Sequence, residues 1–420
     1  MAHMVPTKSA IWLLLLASLL TALNFYDRYV ISIVVQDLKT TFWLSDTQIG
    51  LLSGMAFALV YSIASIPVAR YADGGRHARV LGVAALIWSA MAGACGLVTG
   101  FWTLLIARFG VGLGESGGGP TTHALIARNF GPNWRGTAFG VIGLAGTTGA
   151  IVALSGGGTI AHMFGWRTVF YMGAVLGIPI ALILLLTVKD VRPADGAPAQ
   201  PKMRFGEAMQ SLRSRRAYVW LCVGMAMAAL GPYGLTAWMP AYLMRHFDLN
   251  SQQVGTTYGF TVGIATLVGT VLGGVMGDWL NRRDVRAPLW LFIASFGLAA
   301  PVQIGVFMAK DYNPALFLAV IHAVIAMIWV SPSYAFVQAL AGPKLGATGS
   351  AVYNMCLNLV GQALGPFLVG FFSDALAPAH GADSLRLALI IVTCSFVPGV
   401  ACFVLATRTA KEDIAAANAA

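Results

Sequence analysis

Long apolar runs recur along the whole chain, each divided from the next by a short connector carrying charge, proline or glycine. A helix needs about 20 mostly apolar residues to cross a bilayer. Twelve runs meet that length, at 11–36, 46–70, 80–99, 102–127, 136–161, 167–188, 218–244, 252–277, 287–309, 313–340, 346–374 and 384–407. The pattern predicts an all-α integral membrane protein of twelve transmembrane helices. Composition agrees: 58% of the 420 residues are hydrophobic and 10% are charged, against about 25% charged in a soluble domain. That excludes a water-soluble enzyme with a large core.

The net charge of +10 does not point to nucleic acid, because the basic residues sit in the connectors. Nineteen of the 26 Lys and Arg residues fall at the N-terminus, in the even-to-odd connectors and at the C-terminus; five (Lys39, Arg167, Arg245, Lys310 and Arg386) fall on the opposite side. Basic residues accumulate on the cytoplasmic side of membrane proteins, so both termini are expected in the cytoplasm and the number of spans is expected to be even. A bacterial inner membrane is the expected location. The two remaining cations, Arg28 and Arg108, lie inside spans one and four.

The expected organisation has a tail at 1–10, a six-helix bundle at 11–188, a cytoplasmic linker at 189–217, a second six-helix bundle at 218–407 and a tail at 408–420. The opening Met-Ala-His-Met resembles a purification-tag remnant and is set aside. The linker is Pro-rich and then basic. Its segment Phe205–Leu212 reads equally as an amphipathic helix on the membrane surface or as plain solvated chain. The five cysteines, Cys95, Cys222, Cys356, Cys394 and Cys402, lie in apolar runs without ligand spacing and read as small packing residues.

The two halves echo each other. After span two comes ARYADGGRHAR, with Asp73 and Arg76; after span eight comes GGVMGDWLNRR, with Asp278, Arg282 and Arg283. The second copy fits a G-x-x-x-D-x-x-x-R-R pattern, and the first is degenerate, with Ala69 in place of the leading glycine. Spans five and eleven both begin at a glycine and carry small residues, which let helices approach closely. Six plus six helices with a repeated Asp-to-Arg connector resemble the major facilitator superfamily. The resemblance implies two six-helix bundles flanking a central cavity that opens to alternate sides. It also implies a conformational gate formed by Asp73, Arg76, Asp278 and Arg282, to which Arg108 is added here. Capping of a helix end is the simpler reading of the two aspartates.

Only two acids, Asp27 and Glu115, fall well within a span. A charge at mid-bilayer costs about 3 kcal/mol on insertion scales, so these acids and Arg28 and Arg108 need partners or water. Asn24, Asp27 and Arg28 are spaced to share one face of span one. Arg108, Gly112 and Glu115 share a face of span four, and Gly112, Gly114 and Gly117–Gly119 clear side chains from it. A static ion pair fastening span one to span four is the plainer alternative, and hydrogen bonding to a neighbouring helix is the plainer role for Arg108.

NFYDRY in span one together with RFGVGLGESGGGP in span four is similar to the Spinster-type branch of the superfamily, especially its bacterial members. The glycines at 117–119 depart from bulkier animal members. This resemblance implies proton-coupled transport of lysolipids, sphingoid phosphates or similar amphiphilic anions. Organic-anion and sugar-acid symporters share parts of both words and are the alternative; the G-x-G-E spacing favours Spinster. In the expected mechanism Asp27 and Glu115 take up protons, loosening their hold on Arg28, which then meets an anionic head group.

The second half carries no intramembrane charge but has a stripe of amides in span eleven, Asn354, Asn358 and Gln362, each four residues from the last. With Tyr233, Trp238, His322, Trp329 and Tyr334 these are candidates to face substrate, beside Arg28, Asn24 and Glu115 from the first half. Aromatic residues near span ends are equally read as interfacial anchors, and a lone histidine such as His123 or His322 as a bonded core residue. No histidines have metal-ligand spacing, so no metal is expected, and the coupling ion is the proton. No HExxH or Walker A word occurs, which argues against a zinc hydrolase or an ATP-driven pump. The expected partners are a small substrate and membrane lipid, with no nucleic acid, and the protein is expected to act as a monomer.

Overall fold

The computed structural model describes residues 7–190 and 205–419. The first six residues, residues 191–204 of the linker and the last residue lie outside this range. Among the described residues every regular element is helical. Ten helices are long and apolar enough to cross a membrane; one of these, Thr348–Ala417, contains two crossings, and the broken helix pair 101–129 adds another. The twelve expected spans are therefore all present. Span one is Lys8–Ile33, span three His77–Cys95, span six Trp166–Thr187, span seven Arg216–Phe247 and span nine Ala287–Met308. Spans ten and eleven run on from Val330 to Cys356, parted by a kink at Gly342 with φ 71°. Only glycine takes that conformation without strain.

Spans two, five, eight and eleven are irregular in the same way. Each contains one π-helical turn, at Leu51–Met55, Val152–Gly156, Gly255–Gly259 and Leu357–Gln362. Spans two and eight also open alike. A left-handed residue, Trp43 or Asp248, is followed by a leucine and then by a capping box, Ser45 with Gln48 or Asn250 with Gln253. In each box the side chain at the cap accepts from the third residue's amide, at 3.2 or 2.8 Å, and the glutamine returns the bond, at 2.9 or 3.0 Å. This repeat, LSDTQIG against LNSQQVG, escaped the sequence reading.

The chain divides into two compact units, and the division departs from the halfway point at one place. The first unit contains residues up to Ala197 together with Ala237–Gly263, which includes the end of span seven and the start of span eight; the second contains Pro198–Thr236 and Ile264–Ala420. Within the first unit, Arg245 forks onto Asp46 at 2.8 and 2.9 Å and donates from Nε to Gln36 at 2.8 Å. Lys39 reaches the same carboxylate at 2.6 Å. Ser155 Oγ donates to the Gly255 carbonyl at 2.9 Å, so one π turn satisfies another, and Ser251 Oγ donates to the Gly158 carbonyl at 3.2 Å. A cavity of about 490 Å³ beside this clasp is lined by residues including Asp37, His162, Arg245 and Asp248. Burial pushes the Asp37 carboxyl above its usual range, and His162 opposes that shift.

The core of the second unit is aromatic. Phe292, Phe296, Phe396 and Phe403 are buried together, with Phe296 and Phe403 stacked at 5.8 Å. The linker segment forms a helix, Phe205–Ser214, but its apolar side is covered by protein: Ala208 and Leu212 are buried in that core. A membrane-surface helix is thus corrected to one docked on its own unit. Beyond span eight, Arg286 beside Asp284 holds that carboxyl down to about 2, in a surface ion pair of 2.9 Å.

Two outcomes follow from these contacts. Arg245→Ala removes the two-pronged guanidinium from Asp46, which is 4% exposed at its side chain, and lowers stability by about 2 kcal/mol; thermal unfolding in detergent measures it, and an unchanged midpoint would show that the clasp contributes nothing. The depressed Asp284 value means that its contribution is complete above the ordinary carboxylate range and is lost only as pH falls toward about 2. Asp284→Asn therefore changes the unfolding midpoint equally at about pH 5 and about pH 8, and a difference between the two would contradict the assignment.

Candidate functional site

The four intramembrane charges gather in the first unit, but not as one shared set. Glu115, the last residue of Phe101–Glu115, is completely buried, and its Oε2 accepts from Arg28 Nε at 2.7 Å. The other carboxylate oxygen, Oε1, is buried without a hydrogen-bond partner. Asn24 and Arg28 are four residues apart and do present one face to span four. Asp27 does not join them. Adjacent helical residues are rotated by about 100°, and Asp27 is turned toward span six. A Cβ on Gly173 would stand 2.7 Å from its Oδ1, so only glycine admits the carboxylate there. Asp27 is 2% exposed, and neither carboxylate oxygen has a hydrogen-bond partner. The expectation that both acids grip Arg28 is corrected accordingly.

Arg108 lies between the two acids. It is buried, its Nη1 donates to the Asp27 main-chain carbonyl at 3.5 Å, and its Nε is unbonded. That places it inside the first unit beside Asp27 rather than in a gate with the connector residues.

Phe57 and Tyr61 of span two complete the arrangement, and the sequence reading missed both. The Arg28 guanidinium lies 4.8 Å from the Phe57 ring centroid, 5.0 Å from Tyr61 and 5.8 Å from Phe25. Arg108 approaches Phe57 at 5.6 Å, so one buried ring contacts both cations. Cation–π contact favours each guanidinium by about 1–2 kcal/mol when desolvated. Span two comes close enough because Gly112 has no side chain: a Cβ there would lie 2.8 Å from the Phe57 carbonyl. The spacing of Phe57 and Tyr61, one turn apart, was the available signal.

The second unit holds the amides and aromatics, and it sorts them. Asn354 accepts from the Tyr334 hydroxyl at 2.9 Å and donates to the Ser350 carbonyl at 3.0 Å. Asn354 and Asn358 are half-buried, whereas Gln362 is buried with Oε1 unbonded. The π turn at Leu357–Gln362 changes the helical register, so the three amides do not form one even stripe. Tyr233 is half-buried against Gly361 and Gly365, and Trp329 packs on Phe296 with its indole nitrogen buried and unbonded. His322 is corrected to a core residue: it is buried, and Nδ1 meets the Ala299 carbonyl at 3.1 Å.

The connector residues stand apart from this chemistry. Asp73 ends a helix, and its side chain lies outside the described set. Arg76 lies over the Tyr71 ring at 4.7 Å. Asp278 and Arg282 are exposed, and Arg283 lies over Trp279 at 4.1 Å. No group of three metal-binding side chains occurs among the described residues.

The sequence profile of the Major Facilitator Superfamily matches residues 17–366. The chain belongs to this superfamily. Like its relatives it is a transporter rather than an enzyme. This major facilitator protein is 33% identical over 399 residues to an MFS-type efflux pump of Mycolicibacterium smegmatis, covering 94% of this chain and 92% of that one. It is 23% identical to a probable L-galactonate transporter of Escherichia coli, covering 95% and 90%. Among solved structures, a bacterial homolog of the human lysosomal transporter Spinster, in an inward-facing and unoccupied conformation, superposes with a TM-score of 0.88 at 28% identity, covering 97% of this chain and 99% of that one.

The two acids of this transporter are set to respond differently to substitution. Arg28→Ala strands the fully buried Glu115 and costs about 3 kcal/mol of stability. Asp27→Asn removes a charge that has no hydrogen-bond partner, and leaves stability unchanged or raises it by about 1 kcal/mol. Unfolding midpoints in one detergent compare them; equal losses would show that Asp27 is held as firmly as Glu115.

Proposed function

We propose that this major facilitator protein is a proton-coupled secondary transporter of an amphiphilic anion, of the lysolipid or sphingoid-phosphate kind, working by alternating access. The observation that carries the reading is the Arg28–Glu115 pair at 2.7 Å, placed within spanning helices beside Asp27, a buried carboxylate without a hydrogen-bond partner. Charges in such positions are expensive and mark transport paths. A guanidinium suits a phosphate or carboxylate, and Glu115 already occupies it as such a group would.

The mechanism follows from exchange. Protonation of Glu115 releases Arg28 Nε, and the anionic head group replaces the carboxylate. A carboxylate that alternates between partnered and unpartnered settings changes its proton affinity between them, which links proton movement to substrate movement. Asp27 is the second acid placed for this role. The similarity to a bacterial Spinster homolog over nearly the whole chain supports this reading, and the basic bias of the connectors supports an inner-membrane protein with cytoplasmic termini. The similarity to a probable L-galactonate transporter favours a second reading, a proton-coupled sugar-acid symporter.

Uptake into proteoliposomes under an imposed pH gradient separates them. Lysolipids are expected to be carried and hexonates not, and Glu115→Gln is expected to abolish the dependence on the gradient. Carriage of hexonates alone would establish the second reading, and a gradient response unchanged in Glu115→Gln would remove the coupling role.

A further inference from the structure

We propose that Phe57 is a positioning residue: its ring keeps the Arg28 guanidinium in place after Glu115 has let go of it, and does so without a hydrogen bond that an arriving anion would have to displace. The role rests on the functional reading above. The rings of Phe57, Tyr61 and Phe25 lie near Arg28, with centroids at 4.8, 5.0 and 5.8 Å. Phe57 differs from the other two in burial and in company. It is 1% exposed, whereas Tyr61 and Phe25 are half-buried. Its ring also reaches the buried Arg108 guanidinium, at 5.6 Å. Arg108 takes no part in the exchange with Glu115; its Nη1 donates to the Asp27 main-chain carbonyl at 3.5 Å. One ring thus joins a cation that stays to a cation that changes partner.

The ring is itself fixed. The Phe57 carbonyl packs against Gly112 of span four, where a Cβ would stand 2.8 Å from it, and the ring stacks on Tyr61 at 5.5 Å with 23° between the planes. An aromatic face attracts a cation through its quadrupole, yet it has no oxygen lone pair to accept an N–H bond. While Glu115 grips Arg28 at 2.7 Å, a helix-borne carboxylate already positions the guanidinium, and the ring's hold is redundant. A substrate head group is not carried by a helix. Once it replaces the carboxylate, the Phe57 ring is the buried contact that still fixes Arg28. Without that contact the long side chain, 20% exposed, has to be ordered at the moment of binding, and the ordering weakens affinity.

Fluorine on a phenylalanine ring drains the negative face while hardly changing its shape, so a fluorinated series separates attraction from packing. Position 57 of the full-length protein carries phenylalanine or its mono-, di- or trifluorinated form, and binding of dodecyl phosphate in detergent is followed by thermal stabilisation. The half-saturating concentration is expected to rise with each fluorine, by about three- to ten-fold at the third. It is expected to rise at least as far in Phe57→Leu, which keeps an apolar side chain and loses the aromatic face. An affinity that is level or tighter across the fluorinated series overturns the proposal, as does wild-type affinity in Phe57→Leu or the absence of any dodecyl phosphate response in wild type. A stepwise loss of affinity in a protein that shows no gradient-driven uptake overturns the functional reading alone; gradient-driven uptake with level affinity across the series overturns the role of Phe57 alone.

Discussion

A charge carried into hydrocarbon must be met by a fixed partner, and in this protein the Arg28–Glu115 contact meets that demand. Much of the surrounding structure exists to permit it. Phe57 and Tyr61 cover the guanidinium, and Gly112 allows span two to come near enough to do so. Burying an ion pair is seldom a gain in stability over apolar packing. Its retention in a chain with so few charges therefore points to use rather than to support.

The absence of a hydrophobic force between helices in lipid explains the role of small residues elsewhere. Helices associate through close backbone approach and hydrogen bonds. In the first unit the Ala237–Gly263 segment follows this rule, with Gly255 against the backbone of Leu154 and Ser155, and with Ser155 and Ser251 bonding the carbonyls opposite them. The Arg245–Asp46 fork adds direction to contacts that otherwise have little.

Twelve spans were legible because hydropathy over a bilayer's thickness leaves few alternatives, and the kink at Gly342 fell in the gap left between runs ten and eleven. The pairing of spans one and four was legible from four stranded charges. What misled was the step from shared sequence to shared partner: Asp27 and Arg28 are neighbours in the chain, and helical rotation sends them to different helices. Phe57 and Tyr61 offered only their one-turn spacing as a signal, which is commonplace for aromatic residues in a spanning helix, and coordinates are needed to show a cation lying over them. His322 was ambiguous for a related reason, since a carbonyl at the right distance leaves no trace in sequence. The repeat LSDTQIG and LNSQQVG was present in the letters, but its meaning depends on left-handed residues and capping boxes that letters alone do not disclose.

The π turns in spans two, five, eight and eleven give those helices a property the other eight lack. A π turn holds one residue more than the α-helical turn it replaces. Shedding that residue into the regular helix rotates everything beyond it by roughly a quarter turn, without a proline and without breaking the rod. Such helices contain slack: they can swivel one end while the other stays anchored, and torsion rather than bending is the inexpensive deformation open to them.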